Sequence, residues 1–118
     1  MSAPWIVHVI DDDDGVRAVI VDALATAGFE VIEAPDGESG LALLDRTNPV
    51  AAVIDFLMPG MNGAEVAREA QIRRPGLPIV FVSGYGDTIA LDGIAGAIVL
   101  RKPFDVAGLS RAVTAVLH

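Results

Sequence analysis

Short apolar segments alternate with amphipathic segments along the whole chain. The apolar segments are rich in Val, Ile and Ala, and three of them are almost uninterrupted, as expected for strands covered on both faces. The segments between them repeat apolar residues at helical spacing. This alternation favours an α/β fold in which right-handed crossovers join parallel strands. The predicted strands cover residues 5–10, 29–33, 50–55, 78–82 and 97–100.

Polar residues predict where the helices begin. Asp14 is the predicted N-cap of the first helix, and Gly28 follows its last apolar residue as a C-cap. Three further helices are predicted to open at Asp36, Asn62 and near Asp105. A short helix is also expected over residues 86–96, although this stretch contains three glycines.

Five strands in this alternation suit a flavodoxin-like, doubly wound (βα)5 fold with a short fourth helix. Its parallel sheet has the order 2-1-3-4-5. The first and third strands then flank the switch point, where ligands bind beyond the carboxyl ends of the strands. Residues 1–118 have the usual length of a single domain.

Composition excludes several classes of function. The net charge of −8 argues against binding to nucleic acid or to an anionic membrane surface by this chain. The absence of cysteine leaves no disulfide framework and no thiolate zinc site. The first apolar run ends at Ile10 and meets four aspartates, so neither a signal peptide nor a membrane span is predicted. A cytoplasmic protein is expected.

Carboxylates end two strands that the predicted order makes neighbours. Asp11 and Asp12 follow the first strand, and Asp55 ends the third. These groups would repel one another if all were ionised, and a hard divalent cation would remove the conflict. Magnesium prefers octahedral oxygen ligands and usually keeps several waters. One or two of these carboxylates plus a backbone carbonyl fit that demand.

Asp55 is the candidate nucleophile because its strand is central, whereas Asp11 and Asp12 are better placed as metal ligands. A carboxylate can attack phosphorus and form an acyl phosphate. Such a transfer depends on positioning and on charge neutralisation. Lys102, after the fifth strand, can supply positive charge. Ser83, at the end of the fourth strand, can offer its hydroxyl to a phosphoryl oxygen.

Each of these residues also has a simpler interpretation. An Asp-Asp pair after a strand is often a solvated turn or helix cap, and Ser-Gly is common in turns. The functional interpretation is favoured because all five residues are predicted at the strand ends of one parallel sheet: Asp11, Asp12, Asp55, Ser83 and Lys102. His8 and His118 are interpreted as structural or solvated residues. Core positions are predicted for Trp5, Phe29 and Phe81.

Together these motifs resemble the receiver domains of bacterial response regulators. The resemblance spans nearly all of the chain. It is carried by Asp11-Asp12 with Arg17 shortly after, Asp55 followed by Met58-Pro59 and Gly63, then Ser83, then Lys102-Pro103-Phe104.

The resemblance implies that a histidine kinase or histidine phosphotransfer protein phosphorylates Asp55. Magnesium would be held by Asp11 or Asp12, by Asp55 and by the backbone carbonyl of Leu57. Lys102 would contact the phosphoryl group, and Ser83 would turn toward it. A cis peptide between Lys102 and Pro103 is also expected.

The resemblance further implies a signalling module that catalyses only its own phosphorylation and dephosphorylation and acts through protein contacts. The kinase would dock on the first helix and on loops near Asp13 and Phe104, and a downstream protein target is possible. The chain would be a stand-alone receiver or a domain excised from a longer regulator or hybrid kinase.

The sequence departs from the family pattern at three places. Val99 stands where many members have an aromatic residue. The interval from Ser83 to Lys102 is short, which predicts signalling through a different or remodelled face. Leu57 is apolar, so its side chain cannot orient a hydrolytic water, and a long-lived acyl phosphate is expected.

Three other classes of function are less favoured. A phosphatase with an aspartyl-phosphate intermediate usually needs a second carboxylate two residues after the nucleophile, where this chain has Leu57. A binding-only, degenerate receiver would require a broken site, and the five key residues are present. A Rossmann or flavin-binding domain is disfavoured because the first strand runs into aspartates rather than into a Gly-rich phosphate turn.

Overall fold

The computed structural model describes residues 5–84 and 94–117. Within these ranges no helix has the length and apolar character needed to cross a membrane. The elements in chain order are β1 (Ile6–Ile10), α1 (Asp14–Thr26), β2 (Glu30–Ala34), α2 (Gly37–Leu44), β3 (Ala51–Asp55), α3 (Gly63–Arg73), β4 (Ile79–Ser83), β5 (Ile98–Arg101) and α4 (Val106–Val116).

The five strands form one parallel sheet in the order β2-β1-β3-β4-β5, which confirms the predicted topology. Ile10 of β1 pairs with Ile54 of β3, so the next residues along the two strands, Asp11 and Asp55, lie at the same edge of the sheet. On the other side of β3, Ser83 and Arg101 are paired as the last residues of β4 and β5. Register alone therefore gathers the predicted site at one edge.

Helices cover both faces of the sheet. Alternate residues of each central strand point to opposite faces, and so build two separate cores. The core under α2 and α3 includes Ile10, Ala52, Ile54, Phe81, Leu41, Leu44, Val66 and Ala67. The core under α1 and α4 includes Val7, Val9, Val53, Val80, Val82, Ile20, Leu24, Leu109 and Val113. All five residues of β3 and of β4 are buried, as their continuous apolar character predicts.

One predicted core residue is not in the core. The side chain of Trp5 is 53% exposed, and its ring lies against the half-buried ring of Phe29 with centroids 6.3 Å apart. Trp5 precedes β1 and so lies beyond the layers that cover the strand. Phe81, in the central strand β4, is fully buried as predicted.

The predicted first N-cap was wrong by one residue. Asp13, not Asp14, has the extended backbone of a cap, and its Oδ1 accepts a hydrogen bond from the Val16 N–H at 3.0 Å. Asp14 already belongs to α1. The other predicted caps are confirmed at Asp36, Asn62 and Asp105. Gly28 follows α1 with a φ of 101°, a conformation that favours glycine.

The short helix predicted over residues 86–96 lies largely outside the described residues. Its expected final residues, 95 and 96, form a turn in which Gly96 has a φ of 66°. Gln71 of α3 holds this turn, since its amide exchanges hydrogen bonds with both the N–H and the C=O of Ala95.

Candidate functional site

Three carboxylates meet at the carboxyl edge of the sheet. Asp11, Asp12 and Asp55 each offer an oxygen, and these oxygens all lie within 4.8 Å of one another. Asp11 and Asp55 are buried, whereas Asp12 is exposed. The cluster follows directly from the pairing of β1 with β3, as the sequence predicted.

The buried carboxylates resist ionisation. Burial, and after it the charge of Asp11, raises the pKa of Asp55 to about 7, although the Lys102 ammonium acts in the opposite direction. Burial likewise raises the pKa of Asp11, against a hydrogen bond from the Asp13 N–H and the charge of Lys102. Burial and neighbouring negative charge both disfavour the charged form of a carboxyl group. A bound cation would instead favour the charged form of both carboxylates.

One oxygen of Asp11 lacks a partner. Its Oδ1 accepts the Asp13 N–H at 2.9 Å. Its Oδ2 is buried and has no hydrogen-bond donor among the described residues. A buried acceptor without a donor is costly, so such an atom calls for an explanation. A hard divalent cation such as magnesium binds oxygen donors of this kind, and the three carboxylates fit it.

Lys102 extends into the same site from the end of β5. Its Nζ lies 3.7 Å from Asp55 Oδ1. Its backbone N–H donates to the Ser83 carbonyl at 2.8 Å, which ties the residue to the end of β4. The peptide between Lys102 and Pro103 is cis, as the resemblance implied.

Ser83 is fully buried at the end of β4. Its hydroxyl donates to the Gly84 carbonyl at 3.3 Å, and its Oγ lies 3.5 Å from Nη1 of Arg101. Val99 is partly buried against the core under α2 and α3, where it packs as a small aliphatic residue. Leu57 lies in the loop after β3, and its side chain is 59% exposed.

The chain matches the response regulator receiver domain family over residues 7–114. It belongs to this family. It is 36% identical over 117 residues to the transcriptional regulatory protein FixJ of Azorhizobium caulinodans, with 94% of this chain covered and 54% of the relative. The chain thus spans about half the length of this curated relative.

Solved structures of receivers share the fold. The chemotaxis protein CheY4 of Vibrio cholerae has a TM-score of 0.88 at 25% identity, covering 97% of this chain and 99% of that one. The receiver domain from the hybrid histidine kinase CckA has a TM-score of 0.83 at 30% identity, covering 96% of this chain and 99% of that one.

In this receiver, Gly63 fixes the loop that follows Asp55. Its N–H donates to the Phe56 carbonyl at 2.7 Å. A Cβ at position 63 would lie 2.5 Å from the carbonyl oxygen of Asp55 and 2.7 Å from the Cα of Phe56. Both neighbours are backbone atoms, so the close approach of α3 to the end of β3 requires glycine.

Arg17 fixes the other acidic loop of the receiver. Its guanidinium, with a side chain 14% exposed, donates to the Asp11 carbonyl at 2.7 Å, to Asp14 Oδ1 at 2.6 Å and to Glu33 Oε1 at 3.0 Å. The sequence marked Arg17 as part of a motif but did not reveal Glu33 as its partner. The sequence did contain one signal for this partner, the alternation along β2. Glu33 pairs with Val9, which places it beside the end of β1.

An apolar groove adjoins the receiver site. It has a volume of about 440 Å³ and runs between α1 and the loop after β5. Val19, 57% exposed on α1, contributes apolar surface to it. Its lining is completed by Asp13, Gly15, Val16, Lys102, Pro103 and Phe104.

Proposed function

We propose that Asp55 accepts a phosphoryl group from a histidine kinase or histidine phosphotransfer protein in a magnesium-dependent reaction. The chain then signals by changing its contacts with other proteins. One observation carries this proposal. Asp55 lies among Asp11, Asp12 and Lys102, with carboxylate oxygens within 4.8 Å and the ammonium at 3.7 Å.

The residues that would hold magnesium are Asp11, Asp12 and Asp55 through their carboxylates and Leu57 through its backbone carbonyl. The orphaned Oδ2 of Asp11 supports this assignment. When bound, the ion neutralises negative charge on the phosphoryl oxygens.

Asp55 supplies the nucleophile. As one of its oxygens forms a bond to phosphorus, the P–N bond of the donor phosphohistidine breaks. The electron pair leaves with the imidazole nitrogen. Little acid-base chemistry is required of the protein, so positioning and charge neutralisation provide most of the catalysis.

Lys102 and Ser83 act on the transferred group. The Lys102 ammonium already contacts Asp55 and therefore lies where negative charge arrives. The Ser83 hydroxyl lies at the end of β4, where its Oγ is 3.3 Å from the Gly84 carbonyl oxygen, and we expect it to turn toward a phosphoryl oxygen. Hydrogen bonds to a charged acceptor are the stronger kind.

The apolar groove between α1 and Phe104 supports docking of the phosphodonor beside Asp55. Exposed apolar surface of this kind marks interaction sites on protein surfaces. It borders Lys102, so a donor bound there would reach the phosphoacceptor.

The experiment that tests this proposal is the intact mass of the protein after incubation with phosphoramidate and magnesium. We expect one phosphoryl adduct on the wild type, none on Asp55→Asn, and none when EDTA replaces magnesium. Asp22→Asn is the matched control, because it removes the same charge from an exposed position on α1. A folded wild type without an adduct would overturn the proposal.

A further inference from the structure

Arg101 shares a face of the sheet with Ser83. The two residues are register partners at the carboxyl ends of β5 and β4. Phe81 and Val99, two residues earlier on each strand, both pack into the core under α2 and α3. Because side chains alternate along a strand, Ser83 and Arg101 extend that same face to the edge of the sheet.

The guanidinium of Arg101 reaches the Ser83 hydroxyl. Nη1 lies 3.5 Å from Oγ, at the outer limit of a hydrogen bond. Contacts at functional groups are often long in the unliganded state and tighten when the reacting group arrives. Arg101 is exposed at the end of β5.

A phosphoryl group on Asp55 would change the charge at this point. The phosphoryl group carries about two negative charges at neutral pH, in place of the single charge of an ionised carboxylate, and presents three acceptor oxygens. Lys102 offers a compact point charge, whereas an arginine offers a planar fork of donors that matches phosphate oxygens. Arg101 directly precedes Lys102 and so places a second cation at the same end of β5.

We propose that Arg101 is a positioning residue of this site. Its guanidinium holds the Ser83 hydroxyl at the phosphoryl group and adds a second positive charge there. Val99, on the same face of β5, carries no polar group, whereas the Arg101 guanidinium lies 3.5 Å from the Ser83 hydroxyl. This inference rests on the proposed function, since it concerns the phosphoryl group on Asp55.

The test titrates beryllofluoride, an anion that mimics a phosphoryl group, into the magnesium-saturated protein at physiological salt. We expect Arg101→Gln to weaken beryllofluoride binding about tenfold, the equivalent of about 1.4 kcal/mol and typical of one charge-assisted hydrogen bond. The dissociation constant for magnesium alone and the melting temperature should stay at wild-type values. Arg101→Lys should restore only part of the affinity, because it keeps the charge but loses the planar fork of donors.

Arg46→Gln is the matched control. It removes the same charge from an exposed residue that follows α2, at the opposite edge of the sheet. Ser83→Ala should cost less in the Arg101→Gln background than in the wild type, because the two side chains act as one unit.

Two results would overturn the inference alone. One is wild-type beryllofluoride affinity in Arg101→Gln. The other is an equal loss in Arg101→Gln and Arg46→Gln, which would indicate a general effect of net charge. A wild type that binds no beryllofluoride with magnesium present would overturn the proposed function, and this inference with it.

Discussion

Leu57, two residues after Asp55, is expected to influence the lifetime of an acyl phosphate on Asp55. It is 59% exposed and has no group that could orient water. We expect Leu57→Gln to shorten the lifetime of the acyl phosphate several-fold, because an amide can hydrogen-bond an attacking water. The measurement is the decay of the phosphoryl adduct by intact mass after the phosphodonor is removed. Leu57→Met is the control, and equal lifetimes in all three proteins would contradict the idea.

Gly63 illustrates a residue whose missing side chain matters. Gly63→Ala would place a Cβ 2.5 Å from the Asp55 carbonyl oxygen, and the contacted atom is backbone. We expect destabilisation of about 1–3 kcal/mol, the usual cost of overpacking, together with slower phosphorylation. Urea denaturation measures the first effect.

Gly15→Ala is the matched control for Gly63→Ala. A Cβ at position 15 would lie 3.4 Å from a side-chain oxygen of Asp13, which is an ordinary contact. Because Gly15 lies within α1, alanine there should be neutral or stabilising. Equal stability of the two variants would show that the crowding at Gly63 is relieved without cost.

His8 is buried in the middle of β1 and serves the structure rather than the site. Its Nε2 lies 2.7 Å from Thr47 Oγ1. The threonine hydroxyl itself donates to the Leu43 carbonyl at 2.8 Å, so His8 must donate from Nε2. Burial, and after it the charge of Arg74, lowers the pKa of His8 to about 4. The structural interpretation of this histidine is confirmed.

The lowered pKa of His8 predicts a loss of stability in acid. The unfolded chain takes up this proton near pH 6.5 and the folded protein near pH 4. The contribution is therefore fully present above pH 6.5 and is lost as the pH falls toward 4, by at most about 3 kcal/mol. His8→Gln keeps a donor for Thr47 and removes the titration. Urea unfolding from pH 7.5 to 4.5 should show a shallower decline for the variant, and parallel declines would contradict the assignment.

At the scale of elements, the caps show where local chemistry decides and where it does not. Asp36, Asn62 and Asp105 each stand alone before a helix, and each caps it as predicted. Before α1 the sequence offers Asp11, Asp12, Asp13 and Asp14 in a row. Asp13 is the cap because its N–H donates to the Asp11 carboxylate, and this hydrogen bond sets the turn into the helix.

Asn62 caps the helix that begins next to the candidate site. Its side-chain oxygen accepts the Glu65 N–H at 3.0 Å at the beginning of α3, beside Gly63. We expect Asn62→Ala to destabilise the protein by about 1 kcal/mol through the lost cap. Asn48→Ala, in the exposed loop before β3, is the control and should be neutral. Equal melting temperatures for the two variants would mean that solvent replaces the cap.

At the scale of the whole molecule, the carboxylate cluster of the site lowers the stability of the folded state. The chain carries a net charge of −8, and three of its carboxylates lie within 4.8 Å of one another. Their mutual repulsion and the desolvation of two of them cost stability that the two cores must offset. Magnesium would offset this loss of stability, because it would bind the folded state and not the unfolded chain.

The carboxylate cluster predicts that Asp55→Asn has opposite effects on stability in the absence and in the presence of magnesium. Without magnesium, Asp55→Asn should raise the stability on the order of 1 kcal/mol, because it removes a buried charge from the cluster. With free magnesium at ten times its Kd, the wild type should gain about 1.4 kcal/mol and the variant less. Thermal unfolding with and without magnesium measures both. If Asp22→Asn, on the exposed surface of α1, had the same effects, net charge rather than the cluster would be responsible.

The sequence by itself determined the strands, their order and the edge at which Asp11, Asp55, Ser83 and Lys102 emerge. These follow from local patterns, because uninterrupted apolar runs must be covered and parallel strands must be joined by right-handed crossovers. The tertiary structure decided what depends on distances between elements. It paired Arg17 with Glu33, crowded Gly63 against Asp55, left Trp5 exposed and placed Arg101 beside Ser83. Periodicity assigns a side chain to a face, but only the packed layers fix which atoms meet across it.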